Sequence, residues 1–153
     1  MGDLYELQLA LDLPASLPGP DLALLRRHLD ASEDAGDDTE GCAGEGIPGT
    51  DTYPLLASRG PASRIGGVLV GELRPAPHGW ALTARQEVHP DEFWDLEGLL
   101  KWLAARTTTV GVIGYLRFYE AGFPDVLVVN SKTVSRWSPR SVDRAEAELL
   151  PGL

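Results

Sequence analysis

Residues 4–13 read LYELQLALDL. Tyr5, Leu7, Leu9, Leu11 and Leu13 take alternate positions, with Glu6, Gln8, Ala10 and Asp12 between them. A period of two sends the apolar side chains to one side of an extended chain, so the stretch predicts a half-buried strand. That reading decides the fold class. A sheet with one apolar face must be covered on that face, and the flanking sequence offers amphipathic helices to cover it.

Downstream, Pro14 to Pro20 is turn-rich, and Pro20-Asp21 suits a first helical turn. Leu22, Leu25 and Leu29 follow at helical spacing toward an end near Asp30. Residues 32–52 are rich in Gly, Asp, Glu, Thr and Pro with almost no large apolar residue, which predicts a mobile acidic loop. Order is expected to resume at Tyr53–Leu56. Arg64–Arg74 reads as the second strand, with Gly66-Gly67 inside it and Ile65, Leu69 and Leu73 on one face. After a turn at Pro75–Gly79, Trp80–Val88 alternates Trp80, Leu82, Ala84 and Val88 against Thr83, Arg85 and Glu87. His89-Pro90-Asp91-Glu92 opens a helix over residues 91–106. Val110–Glu120 is a strand, Ala121–Asp125 a turn, and Val126–Asn130 a strand continuing to Val134. Ser138-Pro139 starts a short last helix carrying Val142, Ala145 and Leu149.

The order strand, helix, strand, strand, helix, strand predicts an α+β fold. Its antiparallel sheet carries two helices on one face, in a split βαβ (ferredoxin-like) arrangement plus an extra strand and a short C-terminal helix. About thirty residues between the first helix and the second strand stretch that pattern, so a sheet of different strand order is the alternative. The chain of 153 residues is expected to be a single domain, able to bury about 68–70% of its unfolded surface.

The net charge of −10 is unevenly spread. Seven of the 23 acids lie between Asp30 and Gly46 with no base among them, which leaves 16 acids against 13 bases elsewhere. Acidity speaks against nucleic acid and anionic membrane as partners, since both need clustered Lys and Arg. One cysteine, Cys42, excludes an internal disulfide framework and a multi-cysteine zinc site. The opening MGDLYELQ has acids where a signal peptide needs bases, and no apolar run approaches the ~18 residues of a membrane span, so the expected address is cytoplasmic. Eleven Arg against two Lys, with abundant Ala, Gly and Pro, points to a G+C-rich bacterial source.

The helix over 91–106 has two apolar faces. Phe93, Leu96, Leu99, Leu100 and Leu103 form the stripe expected to dock on the sheet, while Trp94, Gly98 and Trp102 line up on another side. A glycine inside a helix costs ~1 kcal/mol relative to alanine, so its place between two tryptophans suggests close approach of another backbone. Either the C-terminal segment with Trp137, Val142 and Leu149 covers this face, or a protein partner or a second copy does.

The opposite face of the sheet would show Glu6, Gln8, Asp12, Glu72, Thr83, Arg85, Glu87, Tyr115, Arg117 and Tyr119. Arg117 between Tyr115 and Tyr119, with Arg85 and Glu87 nearby, suits recognition of a carboxylate or a planar ligand. The plainer reading is that these are ordinary cross-strand pairs on a solvated face. Gly114–Tyr119 departs from the aromatic strand of RNA-recognition motifs in its glycine–aromatic spacing and the position of its base.

No catalytic residue is assigned. His28, His78 and His89 are too scattered for a ligand pair, His28 sits where a cation favours the helix dipole, and His89 reads as a helix-entry residue. Asp34, Asp37, Asp38 and Glu40 are out of register for a calcium loop, Cys42 has no basic neighbour, and no glycine-rich turn leads into a helix. No metal or cofactor is expected. The sequence thus predicts a non-catalytic protein-interaction domain, inhibitor- or immunity-like by analogy of charge. The alternative is a small-molecule-binding protein or enzyme using the open face around Tyr115, Arg117 and Glu87.

Overall fold

A computed structural model of the chain describes residues 3–29 and 54–138. The expected acidic loop at 32–52, with Cys42, and the expected C-terminal helix with Val142, Ala145 and Leu149 lie outside them. The described elements are β1 (Tyr5–Pro14), α1 (Gly19–Leu29), β2 (Gly60–Pro61), β3 (Val68–Ala76), β4 (Gly79–Val88), α2 (Phe93–Arg106), β5 (Gly111–Phe118), β6 (Asp125–Asn130) and β7 (Thr133–Trp137). The fold is α+β with one seven-stranded sheet in the order β2-β3-β4-β1-β5-β6-β7, every neighbouring pair antiparallel. The sheet is larger than the sequence predicts, because β2 and β7 extend it at its two ends.

β1 lies at the centre, as its alternation requires. Leu7, Leu9, Leu11 and Leu13 are buried in one core with Leu25 of α1 and Leu96, Leu99, Leu100 and Leu103 of α2. Both helices therefore lie on the leucine side, and an Asp21–Arg106 ion pair of 2.9 Å joins the start of α1 to the end of α2. Entry to α2 is a single 3₁₀ turn, Pro90–Glu92, with the Glu92 carboxylate accepting the His89 N–H at 3.2 Å, so His89 is the helix-entry residue.

Beside α1, the segment Leu55-Leu56-Ala57 is buried against β3. Its approach is so close that a Cβ on Gly71 would lie 1.6 Å from the Leu56 carbonyl oxygen. Gln86 sits on the same buried side and donates to the Ala57 and Val70 carbonyls at 2.9 and 3.0 Å, which explains a buried amide among leucines.

Three sequence expectations are corrected. The second strand begins at Val68, not Arg64, and Gly66 and Gly67 belong to a loop with φ of +76° and +71°, where glycine has no Cβ to clash. The strand from Val126 does not run on to Val134. It turns at Ser131-Lys132, both with positive φ (51° and 61°), and returns as β7, with Asn130 opposite Thr133. His28 is not a cation at a helix end: it is buried, and its Nδ1 accepts the Leu55 N–H at 3.4 Å. Burial, then the charge of Arg27, holds its pKa below the ordinary 6.5.

Candidate functional site

The side of the sheet away from the helices is the open face, and strand register places its residues. One row runs Glu87–Glu6–Arg117 across β4, β1 and β5. The next runs Val70–Arg85–Gln8–Tyr115–Val126–Trp137 across six strands. The five residues expected to form a ligand site, Arg85, Glu87, Tyr115, Arg117 and Tyr119, do gather on this face or at its end. Arg85 and Arg117, however, are taken up by Glu6 and by main-chain carbonyls, Glu87 by the amides of a loop and Tyr119 by Arg64.

Glu6 is the hub that binds the arginines. Its Oε2 accepts from Arg85 Nη2 at 2.6 Å and Nε at 2.9 Å, and its Oε1 from Arg117 Nε at 3.2 Å. The carboxylate is 12% exposed. Burial works against its charge, but hydrogen bonds from Arg85, Gln8 and Arg117 outweigh that cost and hold its pKa below the ordinary 4.5. Arg117 Nη1 also donates to the Tyr119 and Ala121 carbonyls at 3.0 and 3.2 Å, which clamps the end of β5.

Glu87 turns toward the loop that precedes β3. Its carboxylate accepts the consecutive N–H groups of Ser63, Arg64 and Ile65 at 2.6, 2.9 and 3.4 Å. Burial again opposes ionisation, and these amides reverse the balance and lower its pKa. Arg85 grips the same loop through the Gly66 and Ile65 carbonyls at 2.6 and 3.2 Å. The loop is thereby strapped over the charged end of the face, and Arg64 reaches from it to lie 5.5 Å above the Tyr119 ring. The Tyr119 phenol is held above its ordinary pKa, first by its hydrogen bond to Glu120, a direction opposite to what a general base needs. Among the described residues no buried side-chain nitrogen or oxygen lacks a hydrogen-bond partner, so none is left aimed at a missing ligand.

The other half of the face is different. Tyr115 (42% exposed) and Trp137 (64%) flank Val126 in one row, and Val112 (51%) sits opposite Val128 in the next. These side chains form an apolar band over β5, β6 and β7, with no helix above them among the described residues.

The tryptophans of α2 separate. Trp102 is 8% exposed and belongs to the core, its ring covered by the Arg106 guanidinium at 4.2 Å. Trp94 is 77% exposed, and Gly98 between them is half-buried. Sequence reading missed the roles of Glu6 as hub and of Ser63–Ile65 as its counterpart for Glu87. Both depend on strand register and a loop path, and the only local signal was a carboxylate near the start of a strand, between Tyr5 and Leu7. Compared with known protein families, with curated proteins and with solved structures, the chain finds no match.

Proposed function

We propose that this chain is a small acidic protein-interaction domain without catalysis, and that its partner docks on the apolar band over β5, β6 and β7. The observation that carries the reading is the exposed row Tyr115–Val126–Trp137, backed by Val112 and Val128. Contiguous apolar surface of this kind marks interaction sites, and Trp and Tyr are favoured at their centres. The neighbouring charges support the same reading, because Arg85, Arg117 and Glu87 are engaged within the chain. A net charge of −10 makes the fitting partner a protein whose contact surface is apolar at its centre and basic around it, as an inhibitor or immunity protein would meet. No helix among the described residues is long and apolar enough to cross a membrane, and a cytoplasmic address completes the proposal. The order β3-β4-β1-β5, with α1 following β1 and α2 preceding β5, supports a split βαβ core extended by β2, β6 and β7.

The test uses the full chain as bait in the source cell. Replacing Tyr115 and Trp137 together by Ala is expected to lower capture of a specific basic protein at least about tenfold while the urea midpoint stays unchanged. Trp94→Ala, a separate arm, reports whether the exposed end of α2 contributes. Undiminished capture by the double variant sinks the face proposal. A metabolite that raises the melting temperature in wild type but not in Arg117→Ala favours the ligand-binding alternative instead.

A further inference from the structure

The two ends of the sheet are finished differently. β2 is two residues, and its Pro61 has no N–H to offer a neighbour. Short strands and proline are how proteins blunt an edge against pairing. β7 is five residues, TVSRW, with no proline, glycine or bulge, and among the described residues its main chain pairs only with β6. Its one charged side chain, Arg136, is ion-paired within the chain to Asp125, Nε to Oδ2 2.6 Å, and stays partly exposed.

Register fixes which main-chain groups of β7 point outward. A two-residue loop closes on a hydrogen-bonded pair, here Asn130 with Thr133, and alternation makes Val128–Ser135 and Val126–Trp137 hydrogen-bonded as well. The N–H and C=O groups of Thr133, Ser135 and Trp137 thus face β6, and those of Val134 and Arg136 face away from the sheet.

We propose that β7 pairs antiparallel with β7 of a second copy of this chain, about a two-fold axis through Ser135. In that register Val134 exchanges main-chain hydrogen bonds with the second copy's Arg136, and the reverse, for about four bonds in all. Ser135 meets its own counterpart as a non-hydrogen-bonded pair, and Thr133 stands opposite Trp137. Charge selects this register. Shifting the axis to Arg136 sets two arginines opposite each other, and shifting it to Val134 sets Arg136 opposite Lys132; of the three axes inside the strand, that through Ser135 alone opposes no like charges. Five residues of pairing bury far less than the ~800 Å² per partner of a standard interface, and each copy carries −10, so the association is weak and concentration-dependent. It uses the main-chain edge of β7 and not the apolar side chains of the open face, so its test is separate from that of the partner proposed above, although both rest on the β6–β7 register.

Sedimentation equilibrium of the full chain at ~0.15 M salt, from about 1 μM to 1 mM, tests it. The expected result is a mass rising toward two chains at the upper end. Ser135 is exposed, so Ser135→Lys leaves the folded chain intact by circular dichroism but sets two ammonium groups face to face and weakens the dimer at least about tenfold. An equimolar mixture of Ser135→Lys and Ser135→Glu is expected to restore association. A wild-type mass of one chain at the highest concentration overturns the proposal, as does a Ser135→Lys variant that pairs as well as wild type.

Discussion

The open face of the sheet is two surfaces on one scaffold. Around Glu6, where β4, β1 and the end of β5 meet, the charged groups that look available for chemistry are engaged by neighbours: Arg85 and Arg117 by Glu6, Glu87 by three amides of the strapped loop. Over β5, β6 and β7 there is little charge, and large apolar side chains stand in solvent. The contrast teaches that charge on a sheet face is poor evidence of a site. A guanidinium beside a carboxylate one strand away finds a partner inside the chain. Trp137, with no described helix above it, keeps one hydrogen bond, from its Nε1 to Ser135 Oγ at 3.2 Å, and leaves most of its ring in solvent.

The largest effect should come from breaking the polar half at its hub. Glu6→Ala leaves the Arg85 and Arg117 guanidiniums, both mostly buried, without their carboxylate. Removing one member of a fully buried pair costs about 3–5 kcal/mol, and the partial exposure here brings the expectation to about 2–3 kcal/mol in urea unfolding. Glu6→Gln keeps an acceptor but no charge and should fall between the two. A loss below about 1 kcal/mol would mean the network is a minor contact and the arginines are available after all.

A smaller loss is expected on acidification, and it should arrive in two stages. His28 has its folded pKa below 6.5, so as pH falls below 6.5 the unfolded chain takes up a proton that the buried imidazole refuses, and stability declines. Glu6 and Glu87 have folded values below 4.5; their contribution is complete above 4.5 and is lost as pH falls through those lower values. The urea midpoint measured against pH should therefore drop first on account of the core and later on account of the polar half. His28→Asn should remove the first stage and Glu87→Gln reduce the second. A first stage that survives His28→Asn would assign it elsewhere.

How much of this was readable in the sequence differs between the same two halves. The alternation of residues 4–13 placed β1 correctly because its leucines meet a core that is almost entirely apolar. The stripe of Leu96, Leu99, Leu100 and Leu103 was legible for the same reason. Periodicity also grouped Arg85, Glu87 and Arg117 on one face, but could not say that Glu6 lies between the arginines, because pairing partners 79 and 111 residues apart are set by topology. Trp102 and Trp94 had equal claim to a second helix face. Their fates split because the helix end by Trp102 is folded into the core, whereas nothing described covers Trp94. The loop at Ser63–Gly67 read as strand because two glycines between Ile65 and Val68 carry no periodic signal, and only their positive φ shows the bend.

The turn at Ser131-Lys132 is where the apolar half is weakest, and also why β7 went unseen. A two-residue hairpin loop with positive φ at both positions favours Asn-Gly or Asp-Gly, and its absence from the sequence left Val126 to Val134 looking like one strand. An L-residue in that conformation is strained by about 1–2 kcal/mol, whereas glycine is not. Glycine also gains freedom in the unfolded chain, worth about 0.5–1 kcal/mol against it. The balance makes Lys132→Gly stabilising by about 0.5–1 kcal/mol, with Ser131→Asn adding a few tenths. The polar half is held by ion pairs that these substitutions do not touch, so Glu6→Ala should cost the same in either background. A destabilising Lys132→Gly would show that β7 does not return through this turn. Tyr115, Val126 and Trp137 would then not share a row, and both the apolar band and the Ser135 axis would lose their register.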